Sequence, residues 1–158
     1  MSKYITIELP KFNSKEEFGY YLAGLLEGQI GLPSIGKTSL NRVLNPRITF
    51  TSHINNLELF LYIHNQLGNI GRFKVTGNIL RFIIGDIQGI NLVINLIHGK
   101  LRTPKNIRFN QLIEILNNKY ELNIKESSFN RSELYSNSWL TGFIEADGHL
   151  GVKTVKRN

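Results

Sequence analysis

The octapeptide LAGLLEGQ at residues 22–29 recurs without gaps as LTGFIEAD at residues 140–147. Both copies read apolar, small, Gly, apolar, apolar, Glu, small, polar, and each lies at the end of a predicted helix. Small residues at the second and third positions allow two helix backbones to approach closely. The repeat therefore predicts two packed helices whose final positions, Gln29 and Asp147, come near each other.

A glutamate occupies the sixth position of each copy, as Glu27 and as Glu145. Both glutamates lie in the last turn of their predicted helices, where the helix dipole disfavours a carboxylate. Unfavourable placement of this kind calls for a compensating hydrogen bond. We therefore expect each glutamate either to have hydrogen-bond donors around it or to serve the function of the protein.

Hydrophobic periodicity and turn residues predict the elements around the repeat. Ser14 and Glu17 form a capping box at the start of the first helix, and Asp86 is placed to cap a later helix. The predicted helices cover residues 14–28, 55–67, 87–98, 107–117 and 136–146, and the predicted strands cover residues 45–52, 72–75, 80–84 and 149–156. A stretch with glycines and a proline over 31–36 suits further strand edges and a turn.

The order of these elements predicts an α+β chain made of three parts. A half-domain with the order αββαββα covers residues 1–117, a polar linker covers 118–135, and the opening helix and strand of a second half cover 136–158. A complete second half would need on the order of another hundred residues. Three explanations stay open: a fragment that another chain completes, a degenerate domain docked on a larger assembly, or a reading frame that continues.

Polar side chains alternate with apolar ones along the predicted strands. Ile48 and Phe50 point to one side of the first strand, and the polar residues between them point to the other. The hairpin over 72–84 has the same alternation. The residues expected on the polar face are Arg47, Thr49, Thr51, Arg72, Lys74 and Arg81.

Composition narrows the class of partner. The 158 residues include 19 Lys+Arg against 12 Asp+Glu, which gives a net charge of +7, and there is no cysteine. Disulfide scaffolds, thiolate zinc sites and cysteine catalysis are thereby excluded. No apolar run reaches the ~20 residues that a membrane helix needs, so we expect no membrane contact. A basic globule favours a polyphosphate such as DNA or RNA, or has a basic surface for solubility alone.

The repeated octapeptide and the strand–helix order between its copies are similar to those of the LAGLIDADG homing endonucleases and the related group I intron maturases. This resemblance implies that the two motif helices pair between halves, and that each half lays a curved antiparallel sheet into the major groove of DNA. It also implies that an acidic residue at the eighth motif position binds Mg²⁺, which supports phosphodiester hydrolysis.

The resemblance assigns roles to individual positions. Asp147 becomes the catalytic and metal-binding residue, and Gln29 its degenerate counterpart. Lys100 and Arg102 become candidates for a basic residue near the catalytic centre, with Lys105 in the same segment. The implied nucleic-acid contacts are Arg47, Thr49, Thr51, Arg72, Lys74, Arg81, Lys105 and Lys153. The implied contacts between the motif helices are Ala23, Gly24, Glu27, Thr141, Gly142 and Glu145.

Gln29 departs from the family pattern in a way that bears on activity. A glutamine offers a metal only a neutral carbonyl oxygen, so we expect double-strand cleavage to be lost or reduced to nicking. We therefore expect a cleavage-impaired, intron-encoded nucleic-acid-binding protein of this family, which uses Mg²⁺ if active and whose target is DNA or structured RNA. The alternative is a non-catalytic RNA binder, either an intron maturase or a component of an organellar ribosome. A protein-interaction domain is a third possibility. The abundance of Asn, Ile, Lys and Tyr is typical of AT-rich genomes. Together with the resemblance to this family, it indicates an organelle of fungal or algal type, most often the mitochondrion.

Overall fold

The computed structural model describes residues 9–29 and 46–147, without the side chain of Asp147. The predicted strand edges and turn over 31–36 and the predicted strand over 149–156, with Lys153, lie outside the described residues. The helices are α1 (Lys15–Gly28), α2 (Leu57–Gln66), α3 (Ile87–Ile97), α4 (Lys105–Tyr120) and α5 (Trp139–Asp147), and the strands are β1 (Ile48–His53), β2 (Arg72–Thr76) and β3 (Ile79–Ile84). Within that part of the chain, every helix is too short or too polar to cross a bilayer.

Two helix starts follow the predicted capping. The Ser14 hydroxyl accepts a hydrogen bond from the Glu17 amide at 3.1 Å, and the Asp86 carboxylate accepts one from the Gly89 amide at 2.9 Å. Each bond satisfies an amide that the first helical turn leaves without a partner. Helix α4 is longer than the predicted 107–117, because Pro104 supplies the residue before its first turn and Glu121 ends it in the left-handed conformation at φ 55°.

The three described strands form one antiparallel sheet in the order β1-β3-β2. Phe50, Phe82 and Phe73 lie opposite one another across the sheet, and the Phe82 ring stacks at 6.0 Å from Phe50 and 4.9 Å from Phe73. Because side chains alternate along a strand, this aromatic row defines the core face. Fully buried residues of the helices, such as Leu22, complete the same core.

The predicted linker over 118–135 is held against the helices. Its first residues belong to α4, and residues 134–136 form a single 3₁₀ turn. The amides of Asn110 and Asn117, both on α4, make paired bonds with the backbone of Ser127 and Ile124 at 2.7 to 3.0 Å. Side-chain amides thus supply the bonds that a neighbouring strand would supply to this irregular segment.

Candidate nucleic-acid interface

The two motif helices, α1 and α5, pack with their backbones in contact. A Cβ atom placed on Gly24 would lie 1.9 Å from the Trp139 carbonyl oxygen, and one on Gly142 would lie 2.1 Å from the Tyr21 carbonyl oxygen. Neither distance leaves room for any side chain. The predicted packing of the repeated helices through small residues is therefore confirmed at both glycines.

The remaining small residues of the two motifs are placed unequally. Ala23 is completely buried, whereas Thr141, its counterpart in the second copy, is exposed. A third glycine, Gly28, has the Phe143 carbonyl oxygen only 2.4 Å from the position of an added Cβ. The prediction that Thr141 lies in the helix interface is wrong, because that residue turns outward while Gly142 faces α1.

Glu27 is a buried carboxylate, 4% exposed, with several donors around it. Its Oε1 accepts from the Trp139 indole Nε1 at 2.8 Å and from the Arg102 amide at 2.8 Å. Its Oε2 accepts from the amide of Thr103 at 2.7 Å and from the hydroxyl of the same residue. These bonds supply the compensation that the sequence position demands, and they tie α1, α5 and the α3–α4 connection together.

Glu145 is held in the reciprocal manner, since its Oε1 accepts a hydrogen bond from the hydroxyl of Tyr21. Burial, followed by the charge of Glu145, raises the pKa of Tyr21 far above its ordinary value. Tyr21 immediately precedes the first motif and Trp139 immediately precedes the second. Each motif therefore has, just before it, an aromatic donor for the glutamate of the other.

The amide of Gln29 points into the sheet. Its Nε2 donates to the Thr49 carbonyl oxygen at 3.1 Å, and its Oε1 accepts from the Thr51 amide. The residue is only 7% exposed. The one side-chain oxygen that glutamine could offer to a metal is thus already an acceptor within the protein.

These placements do not fit Mg²⁺ at the first motif. The oxygen of the Gln29 side chain is neutral and engaged with β1, and the carboxylates of Glu27 and Glu145 are engaged across the helix pair. Within residues 9–29 and 46–147, no three His, Cys, Asp or Glu side chains converge as a metal site would require. Asp147 is the last residue of α5, and its side chain lies outside the described atoms.

Lys100, Arg102 and Lys105, the three cations predicted near the catalytic centre, lie close together along the chain between α3 and the start of α4. Of these three, Lys105 lies at the C-terminal end of α1. Its Nζ donates to the Glu27 carbonyl oxygen at 3.0 Å and to the Gln29 carbonyl oxygen at 2.9 Å. Burial lowers the pKa of Lys105, and the charge of Glu27 opposes that shift. Lysine at a helix C-terminus also complements the helix dipole.

Lys100 and Arg102 lie along the flank of the motif helices. The Lys100 Nζ is 5.2 Å from the centroid of the Tyr20 ring, and burial lowers the pKa of this lysine. Tyr20 precedes Gly28 by roughly 12 Å along the helix axis. The Arg102 guanidinium lies 5.3 Å from the Trp139 ring and donates to the Ser132 hydroxyl at 2.9 Å. The structure therefore brings Lys105, rather than these two residues, to the motif end.

The strand register gathers the predicted polar side chains on the face opposite the aromatic row. Thr51 lies across from Arg81, which lies across from Lys74, and Arg72 projects on the same side of β2. We call these four residues the basic sheet face. Arg72 and Lys74 are exposed, and Thr51 and Arg81 are half-buried. The predicted grouping of these four residues is confirmed.

Other predicted contacts are less accessible. Thr49 shares the basic face by register but is only 7% exposed, and its buried hydroxyl has no hydrogen-bond partner among the residues that the structure describes. Arg47 precedes β1 and is half-buried.

His53 and Thr76 lie on the same face as the basic sheet face and are exposed, and the sequence prediction misses both. Extending the alternation by one residue at the end of each strand would find them.

The comparison with known proteins agrees with this architecture. The family model described as LAGLIDADG endonuclease matches residues 22–116. The chain is 30% identical over 167 residues to the intron-encoded DNA endonuclease aI3 of Saccharomyces cerevisiae, covering 94% of this chain and 40% of that protein. It is 26% identical over 139 residues to the intron-encoded RNA maturase bI4 of the same yeast, covering 87% of this chain and 20% of that protein.

The fold is similar to that of the LAGLIDADG homing endonuclease I-GzeII, whose structure was solved in complex with its DNA target. The TM-score is 0.61 at 14% identity, covering 81% of this chain and 58% of that one. The chain spans less than half the length of either yeast relative. The family match nevertheless takes in the first motif, the sheet and most of α4, which is more than half of the chain. The chain belongs to the LAGLIDADG endonuclease family.

Proposed function

We propose that the chain binds nucleic acid through the basic sheet face, and that DNA duplex is its target. The observation that carries this proposal is the register that aligns Thr51, Arg81 and Lys74 in one row across the three strands. Adjacent strands are ~4.8 Å apart, so the row spans roughly 10 Å. A DNA major groove is about 12 Å wide, which accommodates such a row.

The chemistry of the face suits both parts of duplex recognition. Arginine and lysine side chains bond to guanine edges in the major groove and to phosphates, and threonine bonds to either. The net charge of +7 adds a sequence-independent attraction to the phosphate backbone. The name of the relative aI3 as a DNA endonuclease supports DNA as the target class.

We propose that double-strand cleavage is lost or reduced to nicking. Support comes from Gln29, whose amide is neutral and bonded to β1. Asp147 remains as the one predicted Mg²⁺ ligand. A bound Mg²⁺ would supply a polarised water and charge neutralisation at the scissile phosphate. Among the three predicted cations of this chain, Lys105 is the one that lies at the end of α1.

A second candidate function is the binding of structured intron RNA without cleavage. Two observations favour it: RNA binding makes no demand on a carboxylate at position 29, and the relative bI4 is named as an RNA maturase.

Intron-encoded yeast relatives and the Asn-, Ile- and Lys-rich composition support a mitochondrial location. We propose further that a second half, from this or another chain, completes the protein, since I-GzeII extends well beyond the matched part.

One experiment separates the two functions. The purified chain is titrated with a long DNA duplex and with a folded group I intron RNA at several salt concentrations, with and without Mg²⁺. We expect tighter duplex binding with a steep salt dependence, and no Mg²⁺-dependent double-strand break. Tighter binding to the RNA, with a steeper dependence on salt concentration, would overturn the duplex proposal in favour of the maturase function. Binding to neither would reject both.

A further inference from the structure

We propose that Gln29 is a positioning residue, whose side-chain amide holds strand β1 against the end of the first motif helix. The amide donates to the Thr49 carbonyl oxygen at 3.1 Å and accepts from the Thr51 amide. Those two backbone groups, on residues two apart, point to the same edge of the strand. The side chain thus takes the pair of bonds that a neighbouring strand would take.

The edge that Gln29 occupies is the one away from the rest of the described sheet. β1 pairs with β3 on its other side, and the strand order β1-β3-β2 places β1 at the end of the three described strands. Gln29 is itself fixed by its backbone, since its carbonyl oxygen accepts from the Lys105 Nζ at 2.9 Å. Both ends of this residue are therefore anchored, one to α4 and the other to β1.

The consequence for recognition follows from Thr51. This residue is the β1 member of the row that continues through Arg81 and Lys74. The Gln29 amide bonds directly to the Thr51 backbone, so it sets the distance between this row and the end of α1. This part of the inference rests on the proposed function of the basic sheet face.

An aspartate at this position would not perform the same task. Its side chain is one methylene shorter and has no donor for the Thr49 carbonyl oxygen. Its negative charge would also face that oxygen in a place where Gln29 is only 7% exposed. Gln29→Asp, which restores the family pattern at the eighth motif position, is thus expected to break the attachment of β1 rather than to create a working metal ligand.

Amide hydrogen exchange tests the attachment directly. In Gln29→Met, which keeps the length but loses both bonds, we expect the Thr51 amide to exchange about tenfold faster, while the β3 amides keep their protection. Gln29→Asn retains the amide on a shorter side chain, so its Thr51 exchange rate should lie between those of Gln29→Met and the parent. Gln111→Met, at an exposed position of α4, is the matched control and should leave Thr51 unchanged.

Duplex affinity and cleavage supply the second readout. We expect Gln29→Met to bind the duplex about fivefold or more weakly than the parent, and Gln29→Asp to gain no Mg²⁺-dependent cleavage. Unchanged Thr51 exchange in Gln29→Met, or new cleavage in Gln29→Asp, would overturn the inference. Equal duplex affinity despite faster Thr51 exchange would overturn the role in recognition. Absence of duplex binding by the parent would instead reject the proposed function, and the exchange measurements would still decide the attachment.

Discussion

The indole Nε1 of Trp139 donates to the Glu27 carboxylate at 2.8 Å, and this bond joins residues 112 positions apart in the sequence. The hydroxyl of Tyr21 makes the reciprocal bond to Glu145. The two bonds run in opposite directions between α1 and α5, so each motif helix is held by a donor that lies just before the other motif. The helix pair is thus locked by polar contacts in addition to the close approach of its glycines.

Loss of the Glu27 carboxylate should destabilise the chain strongly. Glu27→Ala leaves the Trp139 indole and the amides of Arg102 and Thr103 without their acceptor in a buried place, and we expect a loss of about 3 kcal/mol in the free energy of unfolding. Trp139→Phe removes one of these donors and should lose about 1 to 2 kcal/mol. Urea unfolding followed by circular dichroism measures both. Tyr135→Phe, at a residue 86% exposed, is the control and should change stability very little.

Substitution of the interface glycines should separate α1 from α5. An alanine Cβ at Gly24 would lie 1.9 Å from the Trp139 carbonyl oxygen, so the helices must move apart, and we expect Gly24→Ala to cost about 3 kcal/mol or more. Gly142→Ala should behave in the same way. At Gly85 the nearest atom to an added Cβ is 3.7 Å away, so Gly85→Ala should stay within about 0.5 kcal/mol of the parent. Thermal unfolding of the three variants tests this order.

Removal of charge from the basic sheet face should weaken binding in a salt-dependent manner. For Lys74→Ala combined with Arg81→Ala, we expect the slope of log K against log salt on duplex DNA to fall by about 0.9 for each phosphate that the protein no longer neutralises. Lys11→Ala combined with Lys125→Ala removes the same charge at exposed positions away from the sheet and serves as the matched control. An equal effect of the two double variants would show that net charge alone governs binding.

Alkaline pH should unfold the chain partly through Tyr21. Burial and the neighbouring Glu145 raise the pKa of this phenol in the folded state, so the folded state keeps a proton that the unfolded state releases above pH ~10. The stabilisation from Tyr21 is therefore complete below that pH and falls by about 1.4 kcal/mol for each further unit.

The comparison with Tyr21→Phe isolates this contribution. At neutral pH the variant should be about 1 kcal/mol less stable, since Glu145 loses a donor. Above pH ~10 the difference should shrink, because the phenol no longer has to stay protonated. The lowered pKa values of Lys100 and Lys105 make the free energy of unfolding rise with pH rather than fall. They do so equally in both proteins, so their contribution cancels in the difference. A constant difference up to strongly alkaline pH would contradict the assignment to Tyr21.

Local sequence patterns predict most elements because their causes are local. Ser14 and Asp86 cap helices through amides three residues away, and the alternation around Phe50 and Arg81 assigns strand faces without knowledge of the fold. Sequence patterns predict the exposure of individual side chains less well, because packing decides that exposure. Thr49 has the residue type and the strand position of a nucleic-acid contact and is buried instead, since exposure at the end of a strand depends on what packs over it.

The repeat and the strand alternation predict that two glycine-bearing motif helices pair and that the sheet has a basic row, and the repeat indicates a resemblance to a known family. The packed fold was needed to identify the partners of Glu27, the position of Lys105 at the end of α1, and the attachment of Gln29 to β1. Helical and strand periodicity assigns a residue to a face of its element, but it does not identify the atoms that the residue will contact. The bond between Glu27 and Thr103, across 76 residues, depends on how α1 packs against the α3–α4 connection.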